Sequence, residues 1–261
     1  MLYLLSPAKS LDYETPTPKA VARLATDPSF IERSTELIGL LRRHSTADVA
    51  ALMDLSEPLA ALNVARYAAW SASFTPANSK PAALAFDGDV YGGLRARELG
   101  LADLRWAQRH LAILSGLHGV LRPLDRLQPY RLEMGTRLPN PHGTDLYAYW
   151  GDTIAAHLNE RIVADPSPVI VNLASAEYFR AADRSQVLKA RVVDCVFEDW
   201  KTDRYKVIGF FAKRARGLMA RHAITRRIGT PAGLKSFDAE GYRFEPAVSS
   251  RDRLVFRRRT G

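Results

Sequence analysis

Six short apolar runs punctuate the chain, at Leu2 to Leu5, Ala82 to Phe86, Leu111 to Leu114, Val169 to Val171, Val192 to Phe197 and Val207 to Phe211. Runs of this length read as buried strands. Helical patterns lie between them, at Ala47 to Met53, Glu57 to Trp70, Leu101 to His110, Leu146 to Ile162 and Lys213 to Ile228. Strands interleaved with helices give a mixed, α+β fold. There is no internal repeat, low-complexity tract or long linker, and Pro-containing segments such as Pro16 to Pro18 and Pro139 to Pro141 are short loops. One domain over 1–261 is therefore expected.

Most of the runs end in the same way. Leu5 gives way to Ser6-Pro7-Ala8-Lys9, Phe86 to Asp87-Gly88-Asp89, Leu114 to Ser115-Gly116, Val171 to Asn172 and then Ser175-Ala176-Glu177-Tyr178, and Phe211 to Ala212-Lys213-Arg214-Ala215-Arg216-Gly217. If most of these strands run parallel, their C-terminal ends gather at one sheet edge, where ligands bind in open α/β folds. A polar cleft follows. Turns and helix caps use the same residue types and stand as the alternative.

Charge adds a direction. Residues 1–100 carry 10 basic and 11 acidic side chains and residues 101–200 carry 11 and 12, whereas residues 201–261 carry 16 against 5. The C-terminal end thus accounts for the whole formal charge of +9, an asymmetry that suits an anionic partner or a solvated basic surface. With 47% hydrophobic and 25% charged residues the chain has globular composition. The opening Met-Leu-Tyr-Leu-Leu lacks a charged leader, no apolar run approaches the roughly 20 residues of a membrane span, and a lone Cys195 excludes an internal disulfide. A cytoplasmic location without membrane partners is expected.

Several segments could carry chemistry. Lys213 to Arg227 holds six cations, of which all but Arg226 fall within an arc of about 160° on a helix, although Ile224 and Ile228 share that arc. Such spacing suits phosphate, and equally a salt-bridged face. In Thr46 to Trp70, a tight connection at Asp54-Leu55-Ser56 joins two helices, with Pro58 in the first turn of the second and Ser56 as its cap. The pattern Leu52 to Ala60 resembles a DNA-gripping helix-hairpin-helix, with Asp54 and Ser56 where the hairpin glycines usually stand; an ordinary helical hairpin is the alternative. The stretch Arg122 to Gly135 mixes both charge signs between Pro123 and Pro129, and suits loop-locking ion pairs as well as catalysis. Asp87, Asp89, Glu133 and Glu177 are candidate acid-base groups or ligands of a divalent ion. Alternation puts Cys195 beside Val193 and Phe197, as in a core. The six histidines lack metal-ligand spacing, no Walker loop occurs, and Gly88, Gly92 and Gly93 do not form a dinucleotide fingerprint, so neither cofactor nor metal is expected.

Taken together, these motifs resemble the YaaA family of peroxide-stress proteins, long catalogued without a function. The resemblance rests on Ser6 to Asp12, Phe86 to Tyr91, Leu114 to Asp125, Gln128 to Gly135, Val171 to Tyr178 and Lys213 to Arg221, in that order. It implies a cytoplasmic bacterial protein that protects against hydrogen peroxide, with a link to limiting unincorporated iron. It also implies a family-specific single-domain fold, a positively charged cleft, a helix-hairpin-helix and binding to duplex or irregular DNA.

The resulting expectation is a cleft in which Lys9, Arg122, Arg131, Lys213, Arg214, Arg216 and Arg221 receive DNA phosphate with little sequence specificity, the 46–70 hairpin making a second contact. An enzyme acting on a nucleotide or damaged base through Asp89, Glu133 or Glu177 is the competing expectation, and iron handling by the same carboxylates a third. A concave pocket in which Lys9 meets a carboxylate would favour the enzyme.

Overall fold

The computed structural model describes residues 1–165, 168–184 and 186–259. Its main sheet has eight strands: β1 (Leu2–Leu5), β2 (Leu111–Ser115), β3 (Gly119–Leu121), β4 (Val169–Leu173), β5 (Arg191–Lys201), β6 (Arg204–Lys206), β7 (Arg243–Phe244) and β8 (Arg253–Arg258). Their spatial order is β7-β8-β5-β4-β1-β2-β3, with β6 hydrogen-bonded to β5. The run β8, β5, β4, β1 and β2 is parallel throughout. β3, β6 and β7 join antiparallel, so the fold is mixed α+β. The central β1, Leu-Tyr-Leu-Leu, is buried on both faces, as a parallel strand must be when helices cover the sheet.

The longer helices are α1 (Ile31–Leu41), α2 (Thr46–Met53), α3 (Glu57–Ala69), α4 (Asp89–Leu94), α5 (Leu101–His110), α6 (Leu146–Trp150), α7 (Thr153–Ile162), α8 (Ala176–Ala182) and α9 (Gly209–Arg226). Three readings of the sequence need correction. Ala82–Ala85 is a single helical turn, because alanine and leucine favour helix and the amides of Ala82 and Ala83 are taken by the carbonyls of Asp125 and Pro123. Val207 to Phe211 is not a strand: α9 already begins at Gly209, and Val207 and Phe210 face solvent. The helix expected over Leu146 to Ile162 breaks at Gly151, whose φ of 48° ends α6.

Two local arrangements position the site. The first is a helix crossing at main-chain contact. A methyl group on Gly93 of α4 would sit 2.2 Å from the Arg214 carbonyl oxygen, and one on Gly217 of α9 would sit 1.8 Å from that of Val90. Only glycines allow this approach, and it lays Asp89, at the start of α4, beside the cationic half of α9. The second is the 131–135 loop, held against the end of β2 because a methyl on Gly116 would meet the Leu132 carbonyl at 2.3 Å.

The α2–α3 pair is a helical hairpin. Ser45 caps α2 through a reciprocal box with Asp48, and Asp54 takes the left-handed conformation at φ 52°. Ser56 makes no side-chain cap bond, although Pro58 does occupy the first turn of α3. The far end of α3 is tied down, with Arg42 donating to the carbonyls of Tyr67, Ala68 and Trp70 at 2.8, 3.2 and 2.6 Å, and the Tyr67 hydroxyl donating to the Arg131 carbonyl.

Candidate functional site: a charged cleft at the sheet edge

Parallel β1 and β4 end side by side, and their following loops are joined: the Ser175 amide donates to Ser6 Oγ at 2.8 Å, and the two hydroxyls lie 3.3 Å apart. Above this junction opens a cleft of about 440 Å³. The loop after β1 contributes Ser6 to Ser10, the start of α4 contributes Asp87 to Val90, the 131–135 loop Glu133, α8 Glu177 and Tyr178, and α9 Lys213 and Arg216. Of the five run ends expected to gather, those after β1 and β4 meet here as parallel strand ends, whereas Asp89, Lys213 and Arg216 come instead from α4 and α9, and Ser115-Gly116 at the end of β2 does not line the cleft. Lys9 is nonetheless brought together with Lys213, Arg216, Asp89, Glu133 and Glu177.

The other four candidate cations do not line it. Each is held by its own partner. Arg122 pairs at 2.9 Å with Asp125, which is 0% exposed and also accepts from Thr26 at 2.6 Å. Arg131 pairs with Glu133 at 3.0 Å, Arg214 with Glu240 at 2.5 Å and Arg221 with Glu98 at 3.2 Å. Arg221 also donates to the carbonyls of Leu94 and Arg95, closing the C-terminal end of α4.

Within the cleft the charges divide into spent and free. Glu133 accepts from Lys9 at 2.8 Å through one oxygen and from Arg131 through the other. Glu177 accepts from the Gly135 amide at 2.9 Å. Among the described residues Lys213, Arg216, Asp87 and Asp89 make no ion pair or hydrogen bond through their side chains. Arg216 is half-buried, and burial draws its guanidinium below the usual arginine range. Tyr178 is a neutral phenol, pushed far up first by burial and then by Tyr130, Glu177 and Glu133. Three cations face four carboxylates, so the lining is charged on both sides rather than uniformly basic. No three His, Cys, Asp or Glu side chains among the described residues are grouped to hold a metal ion. Cys195 is buried, and burial followed by Asp194 raises its thiol far above the usual range.

Sequence reasoning overlooked Ser6 and Ser175 as the pair that ties the two strand ends, and Gly93 and Gly217 as the residues that set the approach of α4 to α9. Ser6 and Ser175 carried a signal, since each follows a strand within a few residues. The glycines showed nothing until the crossing was seen.

Fold and cleft together define an α+β protein with a mixed-charge cleft at the C-terminal edge of a largely parallel sheet. A family model described as Peroxide stress protein YaaA matches residues 1–248, and the chain belongs to that family. It is 65% identical to a UPF0246 protein of Leptothrix cholodnii, over 99% of this chain and 98% of that protein. Similar matches are UPF0246 proteins of Methylibium petroleiphilum, 64% identical over 99% of each chain, and Variovorax paradoxus, 61% identical over 100% of each. Among the described residues no helix is long and apolar enough to cross a membrane.

Proposed function

We propose that this member of the peroxide stress family acts in the cytoplasm on nucleic acid, and that its cleft receives a phosphate group at Lys213 and Arg216. The observation that carries this reading is Arg216, a half-buried guanidinium with no carboxylate partner among the described residues, whereas Arg214 and Arg221 on the same helix are paired. An uncompensated charge taken partly out of water is costly unless a ligand supplies the counter-charge. Lys213 stands one turn away on the same helix, and the guanidinium fork suits phosphate oxygens. The carboxylates opposite disfavour a continuous backbone running through the cleft, so one nucleotide's phosphate enters rather than a long tract. Binding of a labelled DNA oligonucleotide, followed by fluorescence anisotropy across a salt series, tests this. Arg216→Ala and Lys213→Ala should each lower the salt slope by about one unit. Unchanged slopes in both would remove the cleft from the binding surface.

A second reading, catalysis on the bound nucleotide, is favoured by a different observation: Lys9 meets Glu133 at 2.8 Å in the same concave site, with Asp87 and Asp89 unpaired nearby. Asp89→Asn would then abolish turnover of an oxidised oligonucleotide while leaving its binding in place. Absence of any product from the unmodified protein would leave binding as the whole activity.

A further inference from the structure

Cations unpaired among the described residues also lie within reach of Lys213 and Arg216, on the β5–β6 ribbon. β5 runs parallel to β4 with Asn172 opposite Asp194, yet β4 stops at Leu173 whereas β5 continues to Lys201. At about 3.3 Å per residue, β5 and its partner β6 rise roughly 20 Å beyond the strand ends that floor the cleft, and from the same edge of the sheet. The ribbon closes in a two-residue turn, Thr202 and Asp203 at φ 53° and 62°.

Its two faces differ in chemistry. Arg204 lies opposite Lys201, Tyr205 opposite Trp200, and Lys206 opposite Asp199. Cross-strand partners share a face, so Lys201, Arg204 and Lys206 stand together with Asp199, and the two aromatics occupy the other side. Asp199 is not available to them: it is 3% exposed and already accepts from Arg258 at 2.6 Å and Tyr242 at 2.7 Å. Lys201, Arg204 and Lys206 make no ion pair among the described residues. The aromatic side stiffens the ribbon, with Trp200 edge-on to Tyr205 at 4.9 Å, Arg257 over the Tyr205 ring at 4.4 Å and Arg259 over the Trp200 ring at 4.6 Å.

The cationic face is also the face that α9 covers. Asp199 shares it with Val193, which lies level with Val171 and, across β4, with Tyr3, whose hydroxyl donates to the Ile228 carbonyl just past α9. Only Val207 and Ile208 separate β6 from α9. Lys206 therefore lies within roughly 16 Å of Lys213 along the chain, about five nucleotides at 3.4 Å per step.

We infer that the β5–β6 ribbon is a nucleic-acid-binding arm, in which Lys201, Arg204 and Lys206 follow the phosphates outward from the cleft. The inference rests on the phosphate reading of Lys213 and Arg216, and the helical hairpin is the rival for the same role. That hairpin presents Asp54 and Glu57 at its turn, both of which repel phosphate.

The test is the salt slope of duplex DNA binding by the full chain. The triple variant Lys201→Ala, Arg204→Ala, Lys206→Ala should lower the slope by about two to three units, at about 0.9 per phosphate contact, and Arg204→Glu alone should weaken binding at least tenfold at low salt. Asp54→Asn with Glu57→Gln should leave affinity within about twofold, because no phosphate passes that turn. If the ribbon variants keep the parent slope while Lys213→Ala and Arg216→Ala lower it, the arm is refuted and the cleft reading stands. If the slope falls for neither set, both are refuted; if the unmodified chain binds a single-stranded oligonucleotide but not duplex DNA, the arm is refuted and the cleft reading stands. A gain in affinity on neutralising Asp54 and Glu57, with no loss from the ribbon, would give the role to the helical hairpin.

Discussion

The molecule has two hairpins of opposite character. The helical hairpin of α2 and α3 is acidic at its turn and locked at its base, where Arg42 caps three carbonyls and Trp70 lies in the core. The ribbon of β5 and β6 extends past the ends of β1 and β4, flanked by β8 as far as Asp199, with cations on one side that no carboxylate answers among the described residues. One invests its side chains in holding the fold together, and the other leaves them available. A hairpin's role is set less by its backbone type than by whether its polar groups are already satisfied within the chain.

The largest expected effect separates the two by stability. Trp70 packs edge-on to Phe74 at 5.9 Å, and Trp70→Ala should cost about 3 to 5 kcal/mol in urea unfolding. Lys201→Ala or Arg204→Ala should stay within about 0.5 kcal/mol, being exposed and unpaired. A large loss from the ribbon substitutions would mean that it too supports the fold.

Next is Gly217→Ala, which changes no charge. The added methyl forces α9 away from Val90, at a cost of about 1 to 3 kcal/mol, and should weaken DNA binding by displacing Lys213 and Arg216. Thermal unfolding and anisotropy on the same sample would show both. Binding unaffected by this change would shift the weight of recognition from the cleft to the ribbon.

A smaller effect lies in pH. His118 is buried behind Phe74, its Nδ1 is 2.9 Å from Ser34 Oγ, and burial lowers its pKa to about 3. The unfolded chain therefore takes up a proton near pH 6.5 that the folded chain refuses until about pH 3. Stability should be complete above pH 6.5 and decline as pH falls, by at most about 1.4 kcal/mol per unit from this group. His118→Gln should flatten that slope between pH 6 and 4 in urea titrations. An identical slope would remove His118 as its source; Asp12, where desolvation is outweighed by hydrogen bonds at Thr15 and Arg97 that lower its pKa from 3.8, contributes acid sensitivity only below about pH 4.

The smallest effect concerns the ribbon turn. Thr202 is β-branched at a positive φ, and replacing Thr202-Asp203 by Asn-Gly should relieve about 1 kcal/mol of strain. Slower amide exchange in β6 would show it, and unchanged exchange would mean that the ribbon's order comes from its aromatic side alone.

Much of this was legible beforehand, for identifiable reasons. β1, β2, β4 and β5 were readable because buried parallel strands are continuous apolar runs, and Lys9 and Glu177 because each follows such a strand, whereas Asp89, Lys213 and Arg216 follow apolar runs that are not strands of the sheet. α4 was not readable: two glycines in Asp-Val-Tyr-Gly-Gly-Leu oppose helix, and only the α9 crossing makes them favourable. Nor could the sequence reveal that Arg214 and Arg221 are neutralised, since Glu240 and Glu98 arrive from remote parts of the chain. The ribbon stayed hidden because Arg204-Tyr205-Lys206 is too short and polar to suggest a strand.

The glycine contact between α4 and α9 has one more consequence. Where two helices touch through their main chains, their spacing is set by carbonyl and amide atoms that every sequence shares, so drift in the surrounding core cannot widen or narrow the gap. Asp89 and Lys213 are therefore gauged against each other by the peptide skeleton itself. The gauge holds only so long as Gly93 and Gly217 both lack a side chain.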